Sequence, residues 1–372
     1  MTLANSSTNK RPNDPSGLHD VLYPWHQRAG AKFANFAGWV MPLEYQGVLA
    51  EHRSVRRQVG AFDVSHLGNL KVLGSRARDF LNSVLTNDLN KVSPGQAQYQ
   101  MLCNETGGVV DDLIAYVVSD EEVNLIPNAA NNDTVADIIA AQAPGSVEVI
   151  NEQHDLAILA VQGPGAPELL SGLGVPTDLG YMRFTSVEYH GFRTQLCRTG
   201  YTGEKGFELV IPVAGALSAW EKIVAAGATP CGLGARDTLR TEMGYALHGN
   251  DISPKINPIA AGLSWAIGWN KPAFNGRQAL LAIKNEGCQH RLRGLKPLGR
   301  AIPRPGMEIV DDSESVIGEV TSGTFSPTLK QGIGLGLVAS NYRVGDRVKV
   351  RIRSREEEFM LVKPPFVQTN IR

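Results

Sequence analysis

The chain has 372 residues, 36 Lys+Arg against 37 Asp+Glu for a formal net charge of -1, and a 42% hydrophobic content. That length exceeds one ordinary core and predicts two or three globular domains. The even charge balance supplies no basic field, so the expected partners are a small molecule or a protein, with no nucleic acid and no membrane. The four cysteines, Cys103, Cys197, Cys231 and Cys288, form no C-x-x-C pair, which predicts thiols in a reducing compartment. No apolar run approaches transmembrane length, and a cytoplasmic protein is expected.

The first residues, MTLANSSTNKRPNDPSG, are polar and lack an apolar h-region, which predicts a disordered tail over 1–17. From Leu67 onward the pattern predicts a strand (GNLKVLG), a helix (SRARDFLNSVLTNDL), a hairpin, a strand (VNLIP), a helix (NDTVADIIAAQ) and a strand (SVEVI). A second pass repeats the order: LAILAVQ as a strand, APELLSGL as a helix, SVEYHGFRTQLCR as a strand pair, FELVIPV as a strand and AGALSAWEKIVAAG as a helix. The expected fold class is therefore α+β, with two related sheet-and-helix units around a shared crevice. The units are expected at 18–66 with 150–285 and at 67–149. After about Asn285 short alternating segments between Gly, Pro, Asn and Asp turns predict an all-β barrel or sandwich over 286–372.

Several motifs carry no function. Gly332, Gly334 and Gly336 of GIGLGLV superficially suggest a dinucleotide loop, but no strand precedes them, no helix follows and the third glycine is one residue early. No H-E-x-x-H, close His pair, P-loop or G-x-S-x-G occurs, which argues against a metal or nucleotide site. His66 and His248 read as polar contacts at element ends.

Three segments could carry chemistry. YQMLCNETGGVVDDLIAYVV predicts a hairpin with Asp111 and Asp112 inside its second strand, on opposite faces, so that one faces water and one the crevice. The residues alone leave open whether these are turn-proximal edge aspartates or include a desolvated working carboxylate. Glu208 lies in a strand with Val210 on its own face and Phe207, Leu209 and Ile211 on the other. It reads equally as a solvent-facing residue or a covered carboxylate needing N–H donors. GLGARDTLRTEMGYALHGND predicts a helix with Leu239, Met243 and Ala246/Leu247 as its buried stripe, and Arg236 in the first turn, where it works against the helix dipole. A specific partner or a surface position both remain open for that arginine.

Taken together, KFANFAGWVMPLEY, VGAFDVSHLG, LTNDL, LCNETGGVVDDLIAY, NAAN, RTGYTGEKGFELVIP, GLGARDTLR, NPIAAGLSWAI and GEVTSGTFSP resemble the aminomethyltransferase family, in content and in order, from about Leu18 to Phe366. The resemblance implies tetrahydrofolate as acceptor substrate and the lipoylated H-protein of the glycine cleavage system as donor. The implied products are 5,10-methylenetetrahydrofolate and ammonia, with no metal, flavin or nucleotide. It assigns the catalytic carboxylate to Asp112 and pterin recognition to Glu208, and sets Tyr99, Asn128, Tyr201, Arg236 and Tyr245 around the folate, with Arg236 also counted as catalytic. Leu67 stands where the family often has methionine in SHMG, a volume-conserving exchange at a folate-contacting position. Thr241, Met243 and His248 also depart from the usual Leu, Ala and Tyr, and Arg372 is only a loose match to a C-terminal arginine. Rival readings are another folate-dependent demethylase, or a non-enzymatic folate-binding relative. The latter carries a cysteine in K-G-C-Y-x-G-Q-E, and RTGYTGEKGFE has none.

Overall fold

The computed structural model describes residues 16–369 and 371, so most of the expected N-terminal tail, and Arg372, lie outside the described residues. The chain opens with α1 (Tyr23–Arg28), a hairpin of β1 (Lys32–Phe36) and β2 (Trp39–Glu44), α2 (Val48–Arg57) and β3 (Gly60–Asp63). Then come β4 (Leu70–Gly74), α3 (Ala77–Val84), β5 (Gln96–Cys103), β6 (Val109–Val117), β7 (Glu122–Ile126), α4 (Asn132–Gln142) and β8 (Val147–Asn151). The order recurs in β9 (Leu156–Gln162), α5 (Ala166–Gly172), β10 (Phe184–Tyr189), β11 (Phe192–Cys197), β12 (Gly206–Pro212), α6 (Val213–Ala225) and β13 (Thr229–Cys231).

The strand orders are β5-β6-β7-β4-β8 in one sheet and β10-β11-β12-β9-β3-β13 in the other. Position by position the two orders match, except that β3 is wedged between β9 and β13. The expected α+β class with two related units is what the chain adopts. Each sheet has one face under its own helices. Leu170, Trp220 and Ile223 of α5 and α6 pack on Phe207, Leu209 and Ile211, while Leu81, Val84, Val135 and Ile139 of α3 and α4 pack on Leu113, Ala115 and Val117. Each such side chain, fully buried, contributes roughly 1.5–3 kcal/mol of apolar transfer. The other two faces meet in a shared core that includes Phe62, Ile158, Ala160 and Val210 from one sheet and Ala97 and Tyr116 from the other.

α7 (Leu233–Met243) closes one side of that core through Ala235 and Leu239. It is shorter than the sequence predicts. Gly244 takes a left-handed φ of 67° as the C-cap, and a Cβ there would meet Pro364, so Ala246 and Leu247 fall beyond the helix rather than on its stripe. α8 (Arg277–Glu286) leads to a closed antiparallel barrel of β14 (His290–Pro297), β15 (Glu308–Val310), β16 (Val316–Ser326), β17 (Gln331–Ala339), β18 (Arg347–Ile352) and β19 (Arg355–Val362). The glycine run lies in β17. A Cβ on Gly332 would approach the Ala301 carbonyl to 2.1 Å, and one on Gly334 the Ser322 carbonyl to 2.6 Å, so close backbone packing explains these glycines. Among the described residues no helix is long and apolar enough to cross a membrane.

Two buried polar clusters join the barrel to α7. Glu242 accepts hydrogen bonds from Arg56 Nη2 (2.8 Å), Ser326 Oγ (2.5 Å) and Thr328 Oγ1 (3.0 Å). Asp251 accepts from Arg240 Nη1 (2.9 Å), Thr321 Oγ1 (2.5 Å) and Ser322 Oγ (2.8 Å). Burial alone would raise the proton affinity of Glu242, but His52, Arg56 and Ser326 outweigh it and hold its pKa at about 2. Glu242→Gln removes one of the two carboxylates paired with Arg56, Glu204 remaining at 3.0 Å from Nη1, and should cost about 1.5–3 kcal/mol at neutral pH in chemical denaturation. A depressed carboxylate contributes stability above its unfolded pKa, and that stability is lost as pH falls toward the folded value. The gap between wild type and variant should therefore shrink as pH falls from about 4.5 toward 2. A gap independent of pH over that window would contradict this reading.

Candidate active site

The hairpin β5–β6 carries Asp112. Leu102 pairs with Asp111 and Cys103 with Val109, so Val110 is an extra residue that bulges β6 just ahead of the aspartates. Beyond it Asp112, Ile114 and Tyr116 share the face turned toward the opposite sheet. Tyr99, diagonal to Asp112 on β5, donates its hydroxyl to Asp112 Oδ2 at 3.0 Å. β7 pairs with β6 no further than Ile114, and the edge it leaves open is covered by Asn128. The Asn128 Nδ2 donates to Asp112 Oδ1 at 2.8 Å and to the Asp112 carbonyl at 2.9 Å. Burial raises the pKa of Asp112, opposed by Tyr99, His248 and Asn128.

Asp111 does not face water. Alternation sends it to the other side of the strand, as predicted, but the turn at 128–131 folds over it and it is fully buried. It accepts from the Asn128 backbone N–H (2.9 Å), Asn128 Nδ2 (2.9 Å) and Asn131 Nδ2 (2.6 Å). Burial and the charge of Asp112 push its pKa to about 7 against those donors.

On the facing sheet, Glu208 of β12 is 9% exposed, which removes the solvent-facing reading. Its Oε2 accepts from Thr199 Oγ1 at 2.5 Å, and Thr199 lies 3.2 Å from the Tyr116 hydroxyl, on the same strand as Asp112. A short polar chain thus runs from one sheet to the other. Arg236, in the first turns of α7, holds its guanidinium 4.8 Å from the Tyr201 ring centre, and its Nη1 is buried without a hydrogen-bond partner. Burial lowers its pKa, while Glu208 and Tyr201 favour the charged form. Burial, with Asp112 adding to it against Arg240 and Arg236, raises the pKa of Tyr201, so all four groups share one electrostatic neighbourhood. Tyr201 stacks on Tyr245 with centroids 5.6 Å apart, and its hydroxyl donates to the Ala246 carbonyl. Leu67 is half-buried against the shared core.

The structure therefore gathers Tyr99, Asp112 and Asn128 in one cluster and Tyr201, Glu208, Arg236 and Tyr245 in another across the same crevice. Sequence reasoning missed Thr199, which no strand pattern distinguishes from an ordinary threonine, and Trp265, which is 66% exposed and lies 5.4 Å from the Tyr99 ring. It missed Arg240 as well, which donates to the Tyr245 carbonyl at 3.2 Å and so holds that ring's backbone. His248 is the polar contact expected, donating Nε2–H to the Val109 carbonyl at 3.1 Å. His66 differs: its Nδ1 is buried and unpartnered, and burial beside Arg236 lowers its pKa to about 4. Asp20, His26 and Asp63 could together hold a metal ion, but both His26 nitrogens are already bonded, to Tyr45 Oη and Asp63 Oδ2, each at 2.8 Å.

A mixed two-sheet body followed by a C-terminal barrel defines a class that known proteins share. Residues 22–271 match the GCVT N-terminal domain, and residues 290–368 match the glycine cleavage T-protein C-terminal barrel domain. The chain is 53% identical over 357 residues to an aminomethyltransferase of Parafrankia sp., covering 94% of this chain and 98% of that one. It is 49% identical over 364 residues to the aminomethyltransferase of Mycobacterium bovis, covering 96% and 99%. The crystal structure of the glycine cleavage system aminomethyltransferase T from Bartonella henselae superposes with a TM-score of 0.90 at 36% identity, covering 95% of this chain and 98% of that one. The chain belongs to the aminomethyltransferase family, the T-proteins of the glycine cleavage system.

The hydrogen bond from Tyr99 favours the charged form of Asp112, so Tyr99→Phe should raise the proton affinity of that carboxylate. The carboxyl titration of Asp112, followed by NMR, should move to higher pH. A titration that stays in place or moves down would show that Tyr99 does not act on Asp112.

Proposed function

We propose that the crevice between the two sheets binds tetrahydrofolate and that its two carboxylates divide the work of this aminomethyltransferase. Tetrahydrofolate supplies the amine nitrogens that accept the one-carbon unit, and the lipoyl arm of H-protein delivers it. Glu208 has one oxygen taken by Thr199 and turns the rest of its acceptor capacity to the crevice, suited to the paired N–H donors of a pterin edge. Arg236 offers an unbonded Nη1 beside it, which fits an acceptor on the same ligand and balances the Glu208 charge. Tyr201 and Tyr245 supply aromatic faces for a flat ligand.

Asp112 acts from the opposite wall. Held by Tyr99 and Asn128, its ionised carboxylate orients the attacking amine and stabilises the cationic methylene-iminium character as ammonia leaves, the lipoyl sulfur departing as the thiol of the dihydrolipoyl carrier. Arg236 contributes a fixed positive charge to the same neighbourhood. The transfer is redox-neutral and its charges are met by side chains, so the chemistry calls for no flavin, nucleotide or metal. The near-zero net charge gives no reason to expect nucleic acid or membrane partners, and four free cysteines suit work in the cytoplasm. The observation that carries the reading is the buried, unpaired Arg236 nitrogen in the electrostatic neighbourhood of Glu208, across the crevice from Asp112.

The test separates binding from chemistry. Asp112→Asn keeps the shape of the residue but removes its charge, so tetrahydrofolate should bind within a few-fold of wild type while turnover falls by about 10² or more. Glu208→Ala should instead weaken binding by roughly 2–4 kcal/mol, because the pterin edge is left unpaired in a covered site. Calorimetric titration of tetrahydrofolate, with methylenetetrahydrofolate formation from aminomethylated H-protein, reads both. Normal binding by Glu208→Ala, or normal turnover by Asp112→Asn, would overturn the division.

A further inference from the structure

Asp111, on the face of β6 opposite Asp112, carries more side-chain hydrogen bonds than Asp112 or Glu208. Its three hydrogen bonds all come from N–H donors, which favour its charged form against the burial and the charge of Asp112 that push its pKa to about 7. The Asn128 side-chain nitrogen that reaches Asp111 is also the one that reaches Asp112. An amide has two hydrogens, so one goes to Asp111 and the other is shared between the carbonyl and Oδ1 of Asp112. Between two carboxylates only the NH2 end of the amide can face inward. Asp111 therefore decides which way Asn128 is turned, and Asn128 decides where Asp112 Oδ1 sits, leaving Oδ2 to Tyr99. Asn131 braces Asp111 from the far side and donates to His248 Nδ1 at 3.0 Å, and His248 returns to the Val109 carbonyl on β6.

We propose that Asp111 is a positioning residue for the transfer, fixing and electrostatically tuning Asp112 through the side-chain amide of Asn128. This rests on Asp112 being the carboxylate that serves the reaction. Two buried carboxylates on one amide titrate as a pair, each disfavouring the charge of the other. The titratable groups facing the pair are Tyr99 from β5, His248 from the loop after α7 and Tyr201 from the loop before β12, with Arg236 and Arg240 of α7 acting on Tyr201 behind it. Among the described residues no cation bonds to either carboxylate, so the charge of Asp112 bears directly on Asp111.

The test is a carboxyl NMR titration of Asp112 in the full ligand-free chain, run beside the pH dependence of turnover. Asp112 ionises first and pushes Asp111 up, so Asp111→Asn should remove the upper of the pair's two titrations, at about 7, and leave Asp112 with a single one. The acid limb of turnover should change with it. Loss of the amide's orientation should lower kcat at least about tenfold, with KM for tetrahydrofolate within about threefold. Asn131→Ala removes a donor from Asp111 and from His248 Nδ1, leaves the Asn128 and Tyr99 bonds to Asp112 in place, and keeps the test alive if the first variant does not fold. It removes a donor to the charged form, so the first protonation of the pair should move up. An Asp112 titration unchanged in both variants would overturn the proposal, and so would a loss of kcat with the acid limb unmoved, the mark of a merely structural role. If Asp112→Asn kept full turnover, the catalytic reading of Asp112 would fail instead, while the titration would still report whether the pair is coupled.

Discussion

The architecture turns on keeping charged groups between two sheets, where desolvation works against them. Asp111 and Asp112 are anchored on the Asn128 amide, Glu208 on Thr199, and Arg236 keeps one nitrogen unbonded. A buried charge is tolerated only where donors or opposite charges are fixed in advance. The bulge at Val110, the early end of β7 and the turn at 128–131 are the local features that supply those donors to the aspartates. An unpaired guanidinium nitrogen costs stability in the free chain, a cost a bound ligand with an acceptor at that point would remove.

The same constraint explains why the barrel belongs to the active unit. α7 carries Arg236 near its start, and two turns later Glu242, which fastens Ser326 and Thr328 of the barrel side. Arg240 lies between them and joins Asp251, Ser322 and the Tyr245 carbonyl. One rigid helix thus ties the crevice wall to the barrel, and the aromatic pair Tyr201–Tyr245 inherits its position from that tie.

Periodicity made most of the body legible. The helix at 132–142 and the strand at 156–162 match the sequence reading residue for residue, because each is an uninterrupted apolar pattern between turn residues. That Glu208 shares a face with Val210 was also legible, but that this face is covered by the opposite sheet was not. What escaped depends on contacts distant in sequence. β3 joins its sheet from the N-terminal segment, α7 stops at Gly244 where the chain near Pro364 crosses it, and Asp111 is covered by a turn 17 residues away. Alternation correctly sent the two aspartates to opposite faces but could not show that one amide, entering past the end of β7, would reach both. Motif resemblance sets Asn128 around the folate but could not show that its side-chain nitrogen bonds both Asp111 and Asp112.

The central claim is that one ligand is held by carboxylates from facing sheets. A crystal structure of the full chain with tetrahydrofolate tests it most directly. The account predicts the pterin edge within hydrogen-bonding distance of Glu208, an acceptor atom on Arg236 Nη1, and the reacting nitrogens beside Asp112. Tetrahydrofolate bound outside the crevice, or bound in it with Asp112 turned away from those nitrogens, would contradict the account.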